Sequence, residues 1–361
     1  MTVDIRPLRP SRSDRWDGLV ERSERANTFY LFDALELQAE DTGTELHPLV
    51  GYDGETPVGV FPVFEVRKGP MTGAFSPPPK SWSTPLGPAL VGDDAAGDDH
   101  AVGDDATGDH EHHATVRRSR RTVAFVEACL DWLDDRLGPH YQQFLLAGID
   151  DVRPFQWNGF EVSPRFTYVV ELGDEEALLA EFSRDARQNV RNADAERYRI
   201  ERGGPDAVRY VVERVRERHR EQDIPFQLDA AFAVALYRRL PEGTVRPYVC
   251  RVDGERVGGL LVLEHGGTVY RWLGGVKPDG DPDLPVNDLL DWHVMREATR
   301  RGLDEYDLVG AGDPSINRYK AKFNPDLRAN YVARNGTAGV RGLVDLYSQA
   351  HFLGSKLRGV L

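Results

Sequence analysis

Two α+β domains of similar plan are what this sequence predicts, and three observations carry the prediction. The chain has 361 residues, and at roughly 100–200 residues per domain that length suggests two. Both halves mix helical apolar spacing with strand-like runs. The turn Asp53-Gly54-Glu55 followed by Val58-Gly59 is echoed by Asp253-Gly254-Glu255 followed by Val257-Gly258. The echo hints at a duplicated fold, with chance recurrence of a common hairpin turn as the competing account.

Taken in order, Thr44 to Val50 and Thr56 to Val66 read as strands around the first of these turns. Arg117 to Leu137 has helical spacing through Val123, Val126, Leu130 and Leu133, and Tyr141 to Leu146 reads as a strand. In the second half, helices are predicted near Asp174 to Ala195, Ala207 to Glu221 and Ala230 to Leu240. Strands follow at Arg246 to Val252, Arg256 to Glu264 and Thr268 to Leu273. Helices running into an antiparallel meander in each half place the chain among α+β proteins. The predicted boundary gives domains 1–165 and 166–361.

The first domain is interrupted by an imperfect ten-residue repeat, GDDAAGDDHAV then GDDATGDHEHH, with no apolar periodicity. The stretch of about 91–116 reads as a disordered acidic insertion. Its histidines, His100, His110, His112 and His113, lack a scaffold to fix a coordination geometry, so no metal site is predicted.

Composition excludes several classes. With 40% hydrophobic, 9% aromatic and 29% charged residues, the chain is neither disordered throughout nor a disulfide scaffold. Apolar runs such as Val257 to Leu263 fall far short of the roughly 20 residues that span a bilayer. The N-terminus carries charges where a signal peptide has an apolar stretch. Cys129 and Cys250 have no metal-binding spacing, which fits a reducing compartment. A cytoplasmic location is the resulting expectation. The formal charge is −14, of which eight acidic residues lie between Val91 and Val116. Only six of 45 basic residues are Lys, a balance expected of a halophilic host, where acidic surface keeps a protein soluble. The charge also works against non-specific binding to nucleic acid.

Three segments carry chemistry. In Phe182-Ser-Arg-Asp-Ala-Arg-Gln-Asn-Val-Arg-Asn-Ala193, Phe182, Ala186, Val190 and Ala193 form an apolar stripe, and the other face presents Arg184, Arg187, Gln188 and Arg191. Forked guanidinium groups on successive turns form either an anion clamp or a solvated face paired with Asp185, Asp194 and Glu196. Next, Tyr306-Asp307-Leu308-Val309-Gly310-Ala-Gly-Asp-Pro314 reads as a short strand running into a glycine-rich turn and a helix, Ser315 to Phe323, capped by Asp313 or Ser315. Gly310 and Gly312 lack the third glycine and the βαβ setting of a dinucleotide fingerprint. On the helix, Ile316, Tyr319 and Phe323 share an arc with Lys320. That lysine is either buried with a lowered pKa or snorkels to water. Asp307 serves either as general base or as a structural acceptor for loop amides. Tyr270 and Trp272 either line a pocket or close the core. Lastly, Val340 to Leu361 reads as an amphipathic helix, which either docks on its own domain or rests on a membrane surface as a peripheral contact. No serine-hydrolase elbow, P-loop or zinc-protease motif is present.

The run FSRDARQNVRNADAERYRIERG, Asn287-Asp-Leu-Leu-Asp-Trp-His-Val-Met-Arg-Glu-Ala298, Arg301-Gly302 and EYDLVGAGDPSINRYKAKFNP resemble the second domain of FemAB-type acyltransferases in the GNAT superfamily, and the BioF2-like acetyltransferase domains. The meander Leu46 to Val66 and the loop Ser76 to Pro88 are similar to the first domain of that group. The resemblance implies two tandem GNAT-like domains, each a mixed, largely antiparallel sheet flanked by helices, with the active site in the second. It implies metal-free acyl transfer from acyl-CoA or aminoacyl-tRNA to a primary amine of a small molecule or envelope precursor. Arg191 stands where the acetyl-CoA loop of ordinary GNAT enzymes has glycine, and the acidic charge disfavours tRNA. Asp307 and Lys320 are then the expected catalytic residues, and Arg187, Arg191, Tyr270, Asn287, Asn317 and Tyr319 the expected substrate contacts. The alternative is a GNAT-fold binding protein without catalysis.

Overall fold

The computed structural model describes residues 1–23, 25–92, 107–147, 149–280 and 283–342. They form two compact units, divided at Pro164 and Arg165, with the chain from Asn330 returning to the first. The first unit contains β1 (Asp4–Pro7), α1 (Ser13–Glu21), α2 (Phe32–Thr42), β2 (Glu45–Asp53), β3 (Thr56–Lys68), β4 (Met71–Ser76), β5 (Ala89–Leu90), α3 (Thr107–Arg136), β6 (Tyr141–Leu146) and α4 (Arg153–Trp157). From β7 (Glu161–Glu171), the chain builds the second with α5 (Glu175–Glu181), α6 (Arg184–Asn192), β8 (Tyr198–Arg202), α7 (Pro205–Glu221), α8 (Ala230–Arg239), β9 (Val245–Val252), β10 (Glu255–His265), β11 (Thr268–Gly274), α9 (Val286–Arg300), β12 (Glu305–Asp307) and α10 (Pro314–Lys320). A last strand, β13 (Asp326–Gly336), pairs in its second half with β6, from Tyr331↔Leu146 to Gly336↔Tyr141. The predicted second domain of 166–361 therefore gives up this strand end to the first unit, because strand partners are chosen by register and not by nearness in sequence.

The two units share one topology. In the first, β1-β2-β3-β4 is an antiparallel meander and β4 is joined to β6 in parallel across α3. In the second, β8-β9-β10-β11 repeats the meander and β11 is joined to β12 in parallel across α9. Helices α1 and α2 precede the second strand of one meander, as α7 and α8 do in the other. The Asp-Gly turns occupy equivalent hairpins. A glycine on the third strand lets the crossover helix close in, since a Cβ on Gly59 would lie 2.4 Å from the Phe125 ring, and one on Gly258 would lie 2.8 Å from Val286. The first core packs Phe125, Val126, Cys129, Leu130 and Leu133 of α3 against Leu49, Phe61, Val63 and Phe144. The second packs Val286, Leu290, Val294 and Met295 of α9 against Tyr248, Leu260 and Val262, closed by Phe182, Trp292 and Phe323.

Three sequence expectations change. The single helix over Asp174 to Ala195 is two helices, because Phe182 is extended and Ser183 caps α6, its hydroxyl accepting from Ala186 N at 3.3 Å; Ser spends its side chain on free backbone amides more favourably than mid-helix. The insertion of about 91–116 is not irregular throughout: 107–116 begin α3, since extending an existing helix needs no new nucleus. Residues 93–106, with His100, lie outside the described residues, as does most of the Val340 to Leu361 segment. Ile316 is exposed rather than on the buried arc with Lys320. Among the described residues, no helix is long and apolar enough to cross a membrane.

Candidate functional site

The parallel pair of the second unit is short. Thr268, Val269 and Tyr270 of β11 pair with Glu305, Tyr306 and Asp307 of β12, and there the ladder ends. Strand β11 continues to Gly274, whereas the chain after Asp307 follows β7 instead, with Leu308 N donating to Tyr168 O and Ala311 N to Phe166 O, both at 2.8 Å. The strands part at this point. In the first unit the equivalent ladder has four pairs, Gly73↔Tyr141 to Ser76↔Phe144, and a further parallel bridge, Leu86↔Leu146, continues along β6.

The loop leaving β12 is held in a costly conformation. Val309 has φ of +52°, a region that a β-branched residue enters only under constraint, at about 1–3 kcal/mol. The constraints are visible. Asp307 Oδ1 accepts from Val309 N at 2.7 Å and from the Thr167 hydroxyl, and that hydroxyl accepts from Gly310 N at 3.1 Å. The strained turn aims the carbonyls of Val309 and Gly310 at Lys320, whose ammonium donates to them at 2.8 and 2.6 Å. Lys320 is 6% exposed. Burial, then the nearby Arg271 charge, lowers its pKa to about 8. Two carbonyls leave one of its three N–H groups for a ligand. Burial raises the pKa of Asp307 despite its hydrogen bonds to Thr167 and Val309. Its Oδ2 makes no hydrogen bond among the described residues.

A buried polar network on α9 lies near enough to Lys320 for its Arg271 and Asp291 charges to act on it. Asp291, with no exposed surface, accepts from Arg271 Nε at 2.7 Å and from the hydroxyls of Tyr306 and Tyr319 at 2.5 Å each. One turn earlier, Asp288 accepts from Lys322 at 3.3 Å and from the Asn189 amide. Both Arg271 and Lys322 lie over the Tyr319 ring, 5.7 and 5.1 Å from its centroid. Such stacked cations are attracted to the ring quadrupole. The break between α5 and α6 adds to this, because Ser183 N donates to Lys322 O at 2.7 Å and Phe182 packs edge-on against Phe323 at 5.1 Å. Asp313 caps α10 through Ser315 N and Ile316 N.

The residues expected from sequence are placed unevenly. Asp307, Lys320 and Tyr319 belong to this constellation. Tyr270 is half-buried at the last rung of the ladder, its pKa raised by burial and then by the Asp307 charge. Asn287 donates its amide to the carbonyls of Gly275 and Val276 at 3.0 and 3.2 Å, and Asn317 to that of Ala311 at 2.9 Å; both fasten loops. Arg187 folds back on its own segment, donating to Phe182 O at 2.8 Å and to Ala180 O. Arg191 is exposed and makes no hydrogen bond or ion pair among the described residues. Arg187 thus spends donors on the end of α5, whereas Arg191 faces solvent. The cation that does accompany Lys320 is Arg271, which sequence reasoning passed over. Its signal was an acidic residue within the apolar run Leu289-Leu290-Asp291-Trp292, which needs a buried cationic partner.

In the first unit, Glu45, His47 and Glu65 are close enough to share a metal ion. Glu65 already accepts from His47 at 2.9 Å and from the Arg67 guanidinium.

Comparisons with known proteins agree with this picture. Residues 180–321 match the family model for an acetyltransferase (GNAT) domain. No curated protein matches the chain. Among solved structures, FemX is similar over 91% of this chain and 96% of its own, at 14% identity and a TM-score of 0.64. L-PGS from Bacillus licheniformis is similar over 93% and 95%, at 12% identity and a TM-score of 0.53. The C-terminal domain (DUF2156) of a protein assigned as a lysylphosphatidylglycerol synthetase, from Agrobacterium fabrum, matches over 93% and 95%, at 14% identity and a TM-score of 0.54. At these identities the structures bear on fold. The domain match is confined to residues 180–321, within the second unit, and the solved structures share the fold of the whole chain.

Proposed function

We propose that this protein transfers an acyl or aminoacyl group from an activated ester or thioester to a primary amine, and that the parting of β11 and β12 is where it does so. The observation that carries the reading is Lys320: a buried ammonium, pinned to two carbonyls of a strained loop, with one N–H left over. In acyl transfer the carbonyl oxygen becomes an oxyanion, and a fixed donor in a site of low dielectric is worth most there.

The amine attacks the acyl carbon. A C–N bond forms as the C–O or C–S bond of the donor breaks. Asp307 Oδ2, unbonded and on a carboxylate of raised pKa, accepts the amine proton. The third N–H of Lys320 meets the developing oxyanion. At a pKa of about 8 Lys320 can also protonate the leaving oxygen or sulfur, to be recharged from solvent as Asp307 is emptied. The partners we propose are acyl-CoA or aminoacyl-tRNA as donor, and as acceptor the amine of a small molecule or envelope precursor; the similarity to a lysylphosphatidylglycerol synthetase domain supports the aminoacyl arm.

The test is a donor panel of acetyl-CoA, longer acyl-CoAs and aminoacyl-tRNAs with primary-amine acceptors, read by mass spectrometry. Donor-dependent N-acylation should fall about 100-fold or more in kcat with Lys320→Ala, the size seen when one oxyanion donor is removed. Full turnover in that variant would overturn the assignment.

A further inference from the structure

Arg271 is the first residue of β11 beyond the end of the parallel ladder. Its side chain is 10% exposed. Only Nε is engaged, by Asp291. Its two terminal nitrogens make no hydrogen bond or ion pair among the described residues, and they are not sealed in apolar packing. They pass over the backbone of Gly275, where φ is +66° and an added Cβ would lie 1.8 Å from Nη2. Only glycine gives that path. The guanidinium is thus fixed on three sides, by Asp291 at Nε, by the Tyr319 ring and by Gly275, and it presents the Nη1–Nη2 edge, a two-pronged donor without an acceptor. A permanently charged fork with both prongs unbonded is ready to receive an acceptor that offers two oxygens.

We propose that Arg271 binds an oxyanion group, carboxylate or phosphate, carried by the molecule that enters the parting between β11 and β12. The acyl-transfer reading supplies only the identity of that molecule, as donor or acceptor. The site takes a planar or tetrahedral group offering two oxygens side by side, the geometry for which arginine differs from lysine. Asp291, Tyr306 and Tyr319 act as positioning residues, holding the fork edge-on. Because the Arg271 charge depresses Lys320, an anion neutralising that charge offsets the depression.

Titration calorimetry of the full chain at low salt, with inorganic phosphate in one arm and acetate in the other, tests this without turnover. Saturable one-site binding of at least one anion is expected, weakened tenfold or more by Arg271→Lys, which keeps the charge and loses the fork. Arg209→Gln, an exposed control, should leave it unchanged. Phosphate alone would identify a phosphate-bearing ligand, acetate alone a carboxylate-bearing one. If Arg271→Lys fails to fold, the wild-type protein still decides: a bound anion must raise the Lys320 pKa above about 8, followed by lysine side-chain NMR with Lys320→Arg identifying the resonance. Binding of neither anion, or equal binding by Arg271→Lys, overturns the inference. Anion binding without acyl transfer refutes the proposed function alone, and acyl transfer with an unaltered KM for both substrates in Arg271→Lys refutes the inference alone.

Discussion

Replacing Lys320 by Met should change how stability depends on pH. In the folded protein the pKa is about 8 against an ordinary 10.5. The unfolded chain therefore binds more protons between those values, and stability rises with pH across the window. Below pH 8 the wild type bears the full cost of a buried ammonium, and above 10.5 it bears none. At 1.36 kcal/mol per unit, the wild type should gain about 2 kcal/mol relative to Lys320→Met between roughly pH 7 and 9.5. The two lost hydrogen bonds to Val309 and Gly310 shift the whole difference but not its slope, so the slope isolates the charge. Urea unfolding followed by tryptophan fluorescence, run on both proteins across this range, supplies the measurement. Curves that stay parallel would show that Lys320 is solvated and ordinary, and the argument for a poised donor would fall with it.

Lys320→Arg keeps a cation at all accessible pH values, so an alkaline loss of activity near pH 8 in the wild type should move upward or vanish in pH–rate profiles. Thr167→Val removes the hydroxyl that links Asp307 to Gly310 N. It should cost about 1–3 kcal/mol in denaturant unfolding, the penalty of unsatisfied buried polar groups, and lower kcat more than it raises KM. Asp291→Ala strands the Arg271 charge and should cost about 3–5 kcal/mol. Arg271→Met with Asp291→Leu should recover part of that, since two tyrosine hydroxyls still lose their acceptor.

The meanders were legible because their signals are local. Alternating apolar residues and Asp-Gly turns specify hairpins within a dozen residues, and β2, β3, β9 and β10 formed where the pattern placed them. Helix α9 was not legible in the same way. Its buried residues include Val286, Leu289, Leu290, Trp292 and Met295 on several faces, and also Asp288 and Asp291. Two carboxylates facing inward blur the apolar stripe that marks an amphipathic helix. For the site, Asp307 and Lys320 were visible as polar residues at a strand end and on an apolar arc. Arg271 was hidden by the strand period: between Tyr270 and Trp272 it reads as the solvent-facing residue. The partner that draws it inward lies 20 residues later on α9, a distance at which sequence pattern carries no signal. The α6 arginines were legible only as a cationic face, since a solvated helix carries the same pattern as an anion-binding one.

One topology used twice, with chemistry argued for only one copy, follows from how each parallel pair ends. In the first unit the ladder between β4 and β6 is continued by Leu86 on Leu146, both fully buried, and the buried Ser76 hydroxyl of its last rung is used up, donating to Pro62 O and accepting from Gly87 N. A charge placed there would have no partner and would cost several kcal/mol. In the second unit the ladder stops at Tyr270↔Asp307, and the backbone groups that lose their strand partner are taken up by Thr167, Asp307 and Lys320. Two of those replacements have capacity to spare, one oxygen on Asp307 and one N–H on Lys320, and Arg271 beside them adds two prongs. An interrupted sheet thus turns backbone hydrogen-bonding demand into side-chain groups that a substrate can complete.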